Sequence, residues 1–293
     1  MRNILILLLI LNFHLDVCSQ NFKVCDFETK KGIPFSTVKF NKSGIYSDEN
    51  GTINMSFEKN TILFFSAMNY INLEINSDNL KDTIFLTPKK IILEEVIVSN
   101  KPKKNLLIDF LKKAKNFSSW PLQSKSELVV FIKPKVKNKT FNLDSFSILL
   151  DKIKEFDKKI KNAKSVVRIN VYELQDNKIS NQLFSSKPIY VDAFEKETIE
   201  YGFDENEIYI DENGICIGIE MIGLVDENGK IIDNSNYIRP ILTDKEIPDF
   251  TSMSYLKYTF SNNTKLESIS EVITRTSKMN VNNNLNIKIN LRY

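Results

Sequence analysis

Apolar side chains along most of this chain recur at every second residue, not every third or fourth. Phe22 and Val24, then Phe35, Val38 and Phe40, then Ile53, Met55 and Phe57, then Ile62 and Phe64, then Ile84 and Leu86, then Val96 and Val98 form short alternating runs cut by turn residues. Successive strand residues point to opposite faces, so this period predicts half-buried strands, about seven of them before residue 100. Alternation returns at Glu127 and continues through 128–132, 146–149, 167–172, 188–191, 207–210, 215–220, 256–260 and 285–289, giving about eight more. One stretch differs. Between Leu106 and Phe117, Leu107, Phe110, Leu111 and Ala114 fall at helical spacing with lysines opposite, which predicts an amphipathic helix.

The expected fold class is therefore mainly β. Residues 1–20 read as a signal peptide, 21–98 as a first β-sandwich, 99–124 as a linker rich in Lys and Pro with a helix at 106–117, and 125–293 as a second, jelly-roll-like β-sandwich. The charged run Lys152–Lys164 within it reads as a solvent loop or a short amphipathic helix. In the first segment Arg2 is the positive start, 4–11 the apolar run and Val17-Cys18-Ser19-Gln20 the small-residue cleavage site, with lipid on Cys18 as the alternative. That run is too short to span a bilayer, and no later stretch approaches a transmembrane helix.

Composition narrows the chemistry. The 293 residues are 42% hydrophobic with 20 Phe and 10 Tyr, ample for packed cores. A net charge of +3 without a dense basic stripe gives no footprint for nucleic acid. The one histidine, His14, lies in the signal segment, so the exported form lacks the commonest general base and metal ligand. Cys25 and Cys216 are left either as two buried thiols or as a disulfide. Oligomeric state is open.

Several patterns invite a sharper reading. Asp-Glu-Asn-Gly occurs at 48–51, 211–214 and 226–229; it suggests oxygen ligands for calcium, but lacks the acidic spacing of an EF-hand and reads as hairpin turns. Ser36-Thr37-Val38-Lys39 matches a Ser-x-x-Lys nucleophile pattern, yet in a strand its two ends face opposite ways. Glu195, Glu197, Glu200, Asp204 and Glu205 include possible carboxylate pairs for a hydrolase. Trp120, beside Pro121, is the candidate ligand-binding residue, with Tyr190, Tyr201, Tyr209, Tyr237, Tyr255 and Tyr258 as further aromatic platforms. No catalytic residue, metal site or cofactor is expected. At the chain's end Leu285, Ile287, Ile289, Leu291 and Tyr293 alternate as the last strand of a small outer-membrane β-barrel would.

Val24-Cys25-Asp26, Gly32-Ile33-Pro34, 46–51, 62–66 leading to Tyr70, 84–88 and 93–98 together resemble the carboxypeptidase-regulatory-like domain over about residues 21 to 98. The resemblance implies a transthyretin-like sandwich in an exported or outer-membrane protein of a Gram-negative bacterium, without the peptidase. It departs at Asn69, where the family places glycine before the tyrosine; Asn tolerates left-handed backbone angles. The second region has a fainter likeness to uncharacterised exported sandwiches. The expectation is a non-catalytic binding or scaffolding protein of the periplasm or outer membrane, with a surface protein, glycan or peptide as partner. The alternatives are the small barrel behind a periplasmic sandwich, and a hydrolase using carboxylates only.

Overall fold

The computed structural model describes residues 21–89, 104–151, 162–175, 178–192, 198–203, 208–233, 238–261 and 266–293. The first sandwich is built from β1 (Asn21–Asp26), β2 (Thr37–Phe40), β3 (Ser43–Tyr46), β4 (Thr52–Asn54), β5 (Ile62–Ser66), β6 (Leu73–Asn76) and β7 (Thr83–Leu86). They form a three-stranded sheet, β4-β1-β7, and a four-stranded sheet, β3-β2-β5-β6. Phe22, Val24, Ile53, Ile84 and Leu86 from the first meet Val38, Leu63 and Phe65 from the second in one core. Alternation within each strand supplies those inward positions.

The second sandwich contains β8 (Asn105–Ile108), β9 (Ser126–Pro134), β10 (Phe141–Leu149), β11 (Lys164–Gln175), β12 (Lys178–Ser185), β13 (Ile189–Val191), β14 (Thr198–Gly202), β15 (Tyr209–Ile210) and β16 (Ile215–Val225). It continues through β17 (Ile231–Asp233), β18 (Leu242–Thr243), β19 (Phe250–Tyr258), β20 (Glu267–Ser268), helix α1 (Ile269–Ser277), β21 (Asn284–Leu285) and β22 (Ile287–Arg292). Five strands form one sheet, in the order β14-β10-β22-β8 with β15 beside β10; eight form the other, β12-β11-β16-β9-β19-β20 with β13 and β17 at its margins. Leu143, Phe146, Ile148, Ile287 and Ile289 of the smaller sheet pack against Leu128, Val130, Val167, Ile169, Ile217 and Ile219 of the larger.

The three Asp-Glu-Asn-Gly repeats are tight turns; 226–229 closes the hairpin β16–β17, whereas 48–51 and 211–214 carry the chain from one sheet to another. Gly51, Gly214 and Gly229 sit at φ +80°, +79° and +75°, where a side chain would be strained. The leading aspartate folds back in each: Asp48 accepts from Asn50 N at 2.9 Å, Asp211 from Asn213 N at 2.8 Å and Asp226 from Asn228 N at 3.0 Å. Asn69 has φ +65°, a left-handed conformation that Asn tolerates. Cys25 and Cys216 are free and buried.

Two expectations are corrected. Residues 106–117 hold no helix: β8 pairs with β22, Leu106 opposite Leu291 and Ile108 opposite Ile289. Ile108 is buried while Leu107, on the expected helical face, is 53% exposed. A two-residue apolar period was concealed inside the helical one, and the open edge of β22 selects it. Downstream, Asn286 clamps the chain by accepting from Leu111 N and donating to Leu111 O. The helix that does form, α1, places Ile269, Val272 and Ile273 on its buried side; its many β-branched residues disguise it in the sequence. Nor do the described residues close into a barrel. β22 lies inside an open sheet between β10 and β8, and Ile287, Ile289 and Leu291 point into a protein core. Among the described residues no helix is long and apolar enough to cross a membrane. Lys152–Lys161 of the charged run, and the motif at 93–98, lie outside the described residues.

Candidate polar cleft between the two sandwiches

Four adjacent strands of the large sheet each contribute one charged residue to a single row. Arg168 on β11 stands opposite Glu220 on β16, Glu220 opposite Glu127 on β9, and Glu127 opposite Lys257 on β19. The order is plus, minus, minus, plus, on the face turned away from the apolar core. Like charges directly opposite on neighbouring strands repel, and three features offset this. The flanking cations are ion-paired, Lys257 Nζ 2.6 Å from Glu127 and Arg168 Nη1 3.7 Å from Glu220. Asn170 Nδ2 lies between the two acids, donating to Glu127 at 3.0 Å and to Glu220 at 3.1 Å. Tyr172 OH donates to Glu127, and Tyr46 OH, reaching over from β3, donates to Glu220.

Gly218 gives Glu127 its room. A Cβ there would lie 2.0 Å from Glu127 Oε1, inside contact distance, so only glycine lets the carboxylate lean towards Asn170 and Tyr172. Beside the two acids, Gln182 donates to Asn170 Oδ1 at 3.0 Å and fixes which way the amide points.

Glu220, Lys257, Tyr46 and Tyr172 are each pushed away from neutrality. Burial works to raise the Glu220 pKa, but Arg168 and then Lys257, with bonds from Tyr46 and Asn170, outweigh it and hold the carboxyl below its ordinary value. Burial works to lower Lys257, and Glu127 followed by Glu220 outweighs it, so the ammonium titrates above its ordinary value. Burial and then Glu127 push Tyr172 well up; burial and then Glu220 do the same to Tyr46. An acid or base working near neutrality needs a pKa near neutrality. Glu220 and Lys257 instead stay charged and Tyr46 and Tyr172 neutral, which suits these four to holding charge and not to passing protons.

The first sandwich docks beside the row. Phe35, Tyr46 and Phe260 join Val166, Ile222 and Val225 in an apolar contact, with the Tyr46 and Phe260 rings 5.0 Å apart. Gly44 lets Phe260 seat, since a Cβ there would meet the ring at 2.1 Å. Arg168 Nη2 donates to Phe35 O at 3.1 Å, and Tyr190 OH to Glu49 at 2.8 Å. Beyond this contact the domains part, leaving a cleft of about 670 Å³. Its floor carries Arg168, Asn170, Glu220 and Lys257; its roof is Thr37, Lys39, Ser66, Asn69 and Asn72 of the first sandwich.

Of the residues singled out in the sequence, Thr37 and Lys39 line the cleft and the other described ones lie elsewhere. Trp120 is half-buried against the larger core, and Tyr201 packs on Phe184 and Phe203. Tyr190 is a domain contact, and Tyr209 and Tyr258 are exposed separately. Glu200 sits on the edge strand β14; Glu195, Glu197, Asp204, Glu205 and Tyr237 are outside the described residues. Ser36 bonds Ser47 inside the first sandwich while Lys39 faces the cleft. Glu127 and Glu220 were the acids to find. Glu220 carried a signal, as the one charged residue in an eleven-residue strand buried throughout.

No protein-family model matches the chain, and no curated protein matches it. Among solved structures it is similar to a clostridial cysteine protease, Cwp84, after propeptide cleavage: 11% identity over 94% of this chain and 70% of that one, TM-score 0.37. It is also similar to the cysteine protease and lectin-like domains of Cwp84, a surface layer associated protein of Clostridium difficile: 10% identity over 88% of this chain and 59% of that one, TM-score 0.36. The chain thus spans less than two thirds of the second. Both are named for a cysteine protease, and the expectation of a non-catalytic binding or scaffolding protein for glycan or peptide is withdrawn. Likeness this distant brings no mechanism with it. Cys216 is fully buried, its thiol pushed up to about 12 by burial and then by Glu127, and His14 is outside the described residues.

Proposed function

We propose that the cleft between the two sandwiches is the working site and that it takes a small polar molecule as its substrate. Its volume falls among those of small-molecule sites, about 300–1,000 Å³. The observation that carries the reading is the charge row beneath an open space: the domains seal over apolar side chains at Phe35 and Phe260, yet stand apart over Asn170 and Lys257. Fixed charges in a concave, partly dry site stabilise charge on a bound molecule without reorganising. The test is ligand-observed NMR with a library of small polar metabolite-like compounds on the full chain and on Asn72→Trp, which fills the roof from an exposed position. Binders lost in Asn72→Trp, with an unchanged circular dichroism spectrum, support the site; binders indifferent to the substitution, or none at all, refute it.

We infer further that the first sandwich is a carboxypeptidase-regulatory-like module and that the protein is exported, to the periplasm or the outer membrane of a Gram-negative cell. The left-handed Asn69 and the Tyr70 hydroxyl bonded to Asp26 at 2.7 Å support the module; Arg2 and the apolar run 4–11 support export. Fractionation of cells producing the tagged chain tests the second point, and a purely cytoplasmic product refutes it.

A further inference from the structure

The charge row on the floor is balanced, Arg168 and Lys257 against Glu220 and Glu127. The roof is not. Lys39 and Lys89 of the first sandwich also line the cleft, and among the described residues neither forms an ion pair with an acid. Lys39 lies on β2 between Gly44 and Phe64, its cross-strand neighbours, neither of which offers a carboxylate. Lys89 is held at the rim by its backbone N–H, which donates to Asn69 O at 2.7 Å. A third donor waits on the floor: Arg168 Nε is buried and has no hydrogen-bond partner among the described residues. An orphaned buried donor of this kind calls for an acceptor. The lining therefore carries four cations against Glu220 and the Glu127 beneath it, two charges in excess, all within one concavity. Such a lining focuses positive potential into the space it encloses.

We infer that the molecule taken by the cleft is an acid, a compound bearing a carboxylate or a phosphate, whose charge is met by Lys39 and Lys89 from above and by Arg168 Nε from below. The inference rests on the cleft being the working site and names the class of compound it takes. Asn69, Asn72 and Gln182, also lining the space, supply neutral donors and acceptors for the rest of the molecule. Because the anion is gripped from both domains, its binding weakens as salt rises.

The experiment is calorimetric titration of the full chain with three probes: succinate, inorganic phosphate and the neutral isostere succinamide. Wild type, Lys39→Met/Lys89→Met and Asn72→Trp are compared. An acid should bind at least about tenfold tighter than succinamide, and the double lysine variant should lose about tenfold or more for that acid and most of its salt dependence. Neither lysine belongs to a core, so the variant keeps the wild-type melting temperature. Succinate binding alone assigns a carboxylate, phosphate binding alone a phosphate. Equal affinity for succinate and succinamide, or a double variant that binds acid as wild type does, overturns the acid inference. If Asn72→Trp still removes binding in that case, the cleft itself stands. No binding by any probe at about 10 mM also overturns the acid inference, whereas the cleft falls only with the library experiment.

Discussion

The two faces of the eight-stranded sheet are made by the same strands, yet they are stabilised in different ways. Inward, Leu128, Val130, Ile169 and Ile217 are completely buried among other apolar side chains; each contributes by the area it removes from water, nearly independently of the next. Outward, Glu220 and Glu127 are buried and Arg168 and Lys257 half-buried beside them, a set in which each charge depends on its neighbour. An apolar face tolerates the loss of one member in proportion to its size, whereas an ionic row tolerates the loss of all its members better than the loss of one.

Lys257→Met should break this contrast most sharply. It leaves Glu127, with no exposed surface, as an unpaired carboxylate, and chemical denaturation should show a loss of about 3–5 kcal/mol. Adding Glu127→Leu should restore much of that loss, a non-additivity absent from any pair on the inward face. Next in size, Gly218→Ala should cost about 1–3 kcal/mol by pushing Glu127 off Asn170 and Tyr172. Ile217→Val, the matched change on the apolar side one residue away, should cost about 0.5–1.5 kcal/mol and add simply to other core changes. The finest probe is acid. Glu220 has a folded pKa below its unfolded value near 4.5, so its contribution is present above that value and drains away as pH falls through the folded pKa. In that window the stability of Glu220→Gln should fall less steeply with pH than that of wild type; parallel slopes would remove Glu220 from the account.

The inward face was legible in the sequence, because alternation is a local property and turns such as Asp48-Glu49-Asn50-Gly51 announce themselves by their residues. The outward face was not. Glu220 stood out as the one charge in β16, but Arg168, Glu127 and Lys257 are ordinary charged residues on alternating strands, indistinguishable from solvent-facing ones until pairing brings β11, β16, β9 and β19 side by side. Tyr46 comes from another domain altogether. The segment 106–117 shows the converse failure: Leu106 and Ile108 satisfy a strand, Leu107 and Leu111 a helix, and only the free edge of β22 decides between them. Aromatic residues such as Trp120 drew attention by type, but type alone does not distinguish a platform from core filling.

The in-line placement of the four ions also guards the alignment of the sheet. Were β9 to slip by one residue against β16, Glu127 would turn into the oily interior and Leu128 would surface beneath the first domain. Neither neighbour could then reach the stranded carboxylate, and the mispaired chain would carry a heavy penalty that correct pairing escapes. The row of ions beneath the cleft thus acts as a gauge, accepting one strand alignment and rejecting its nearest competitors.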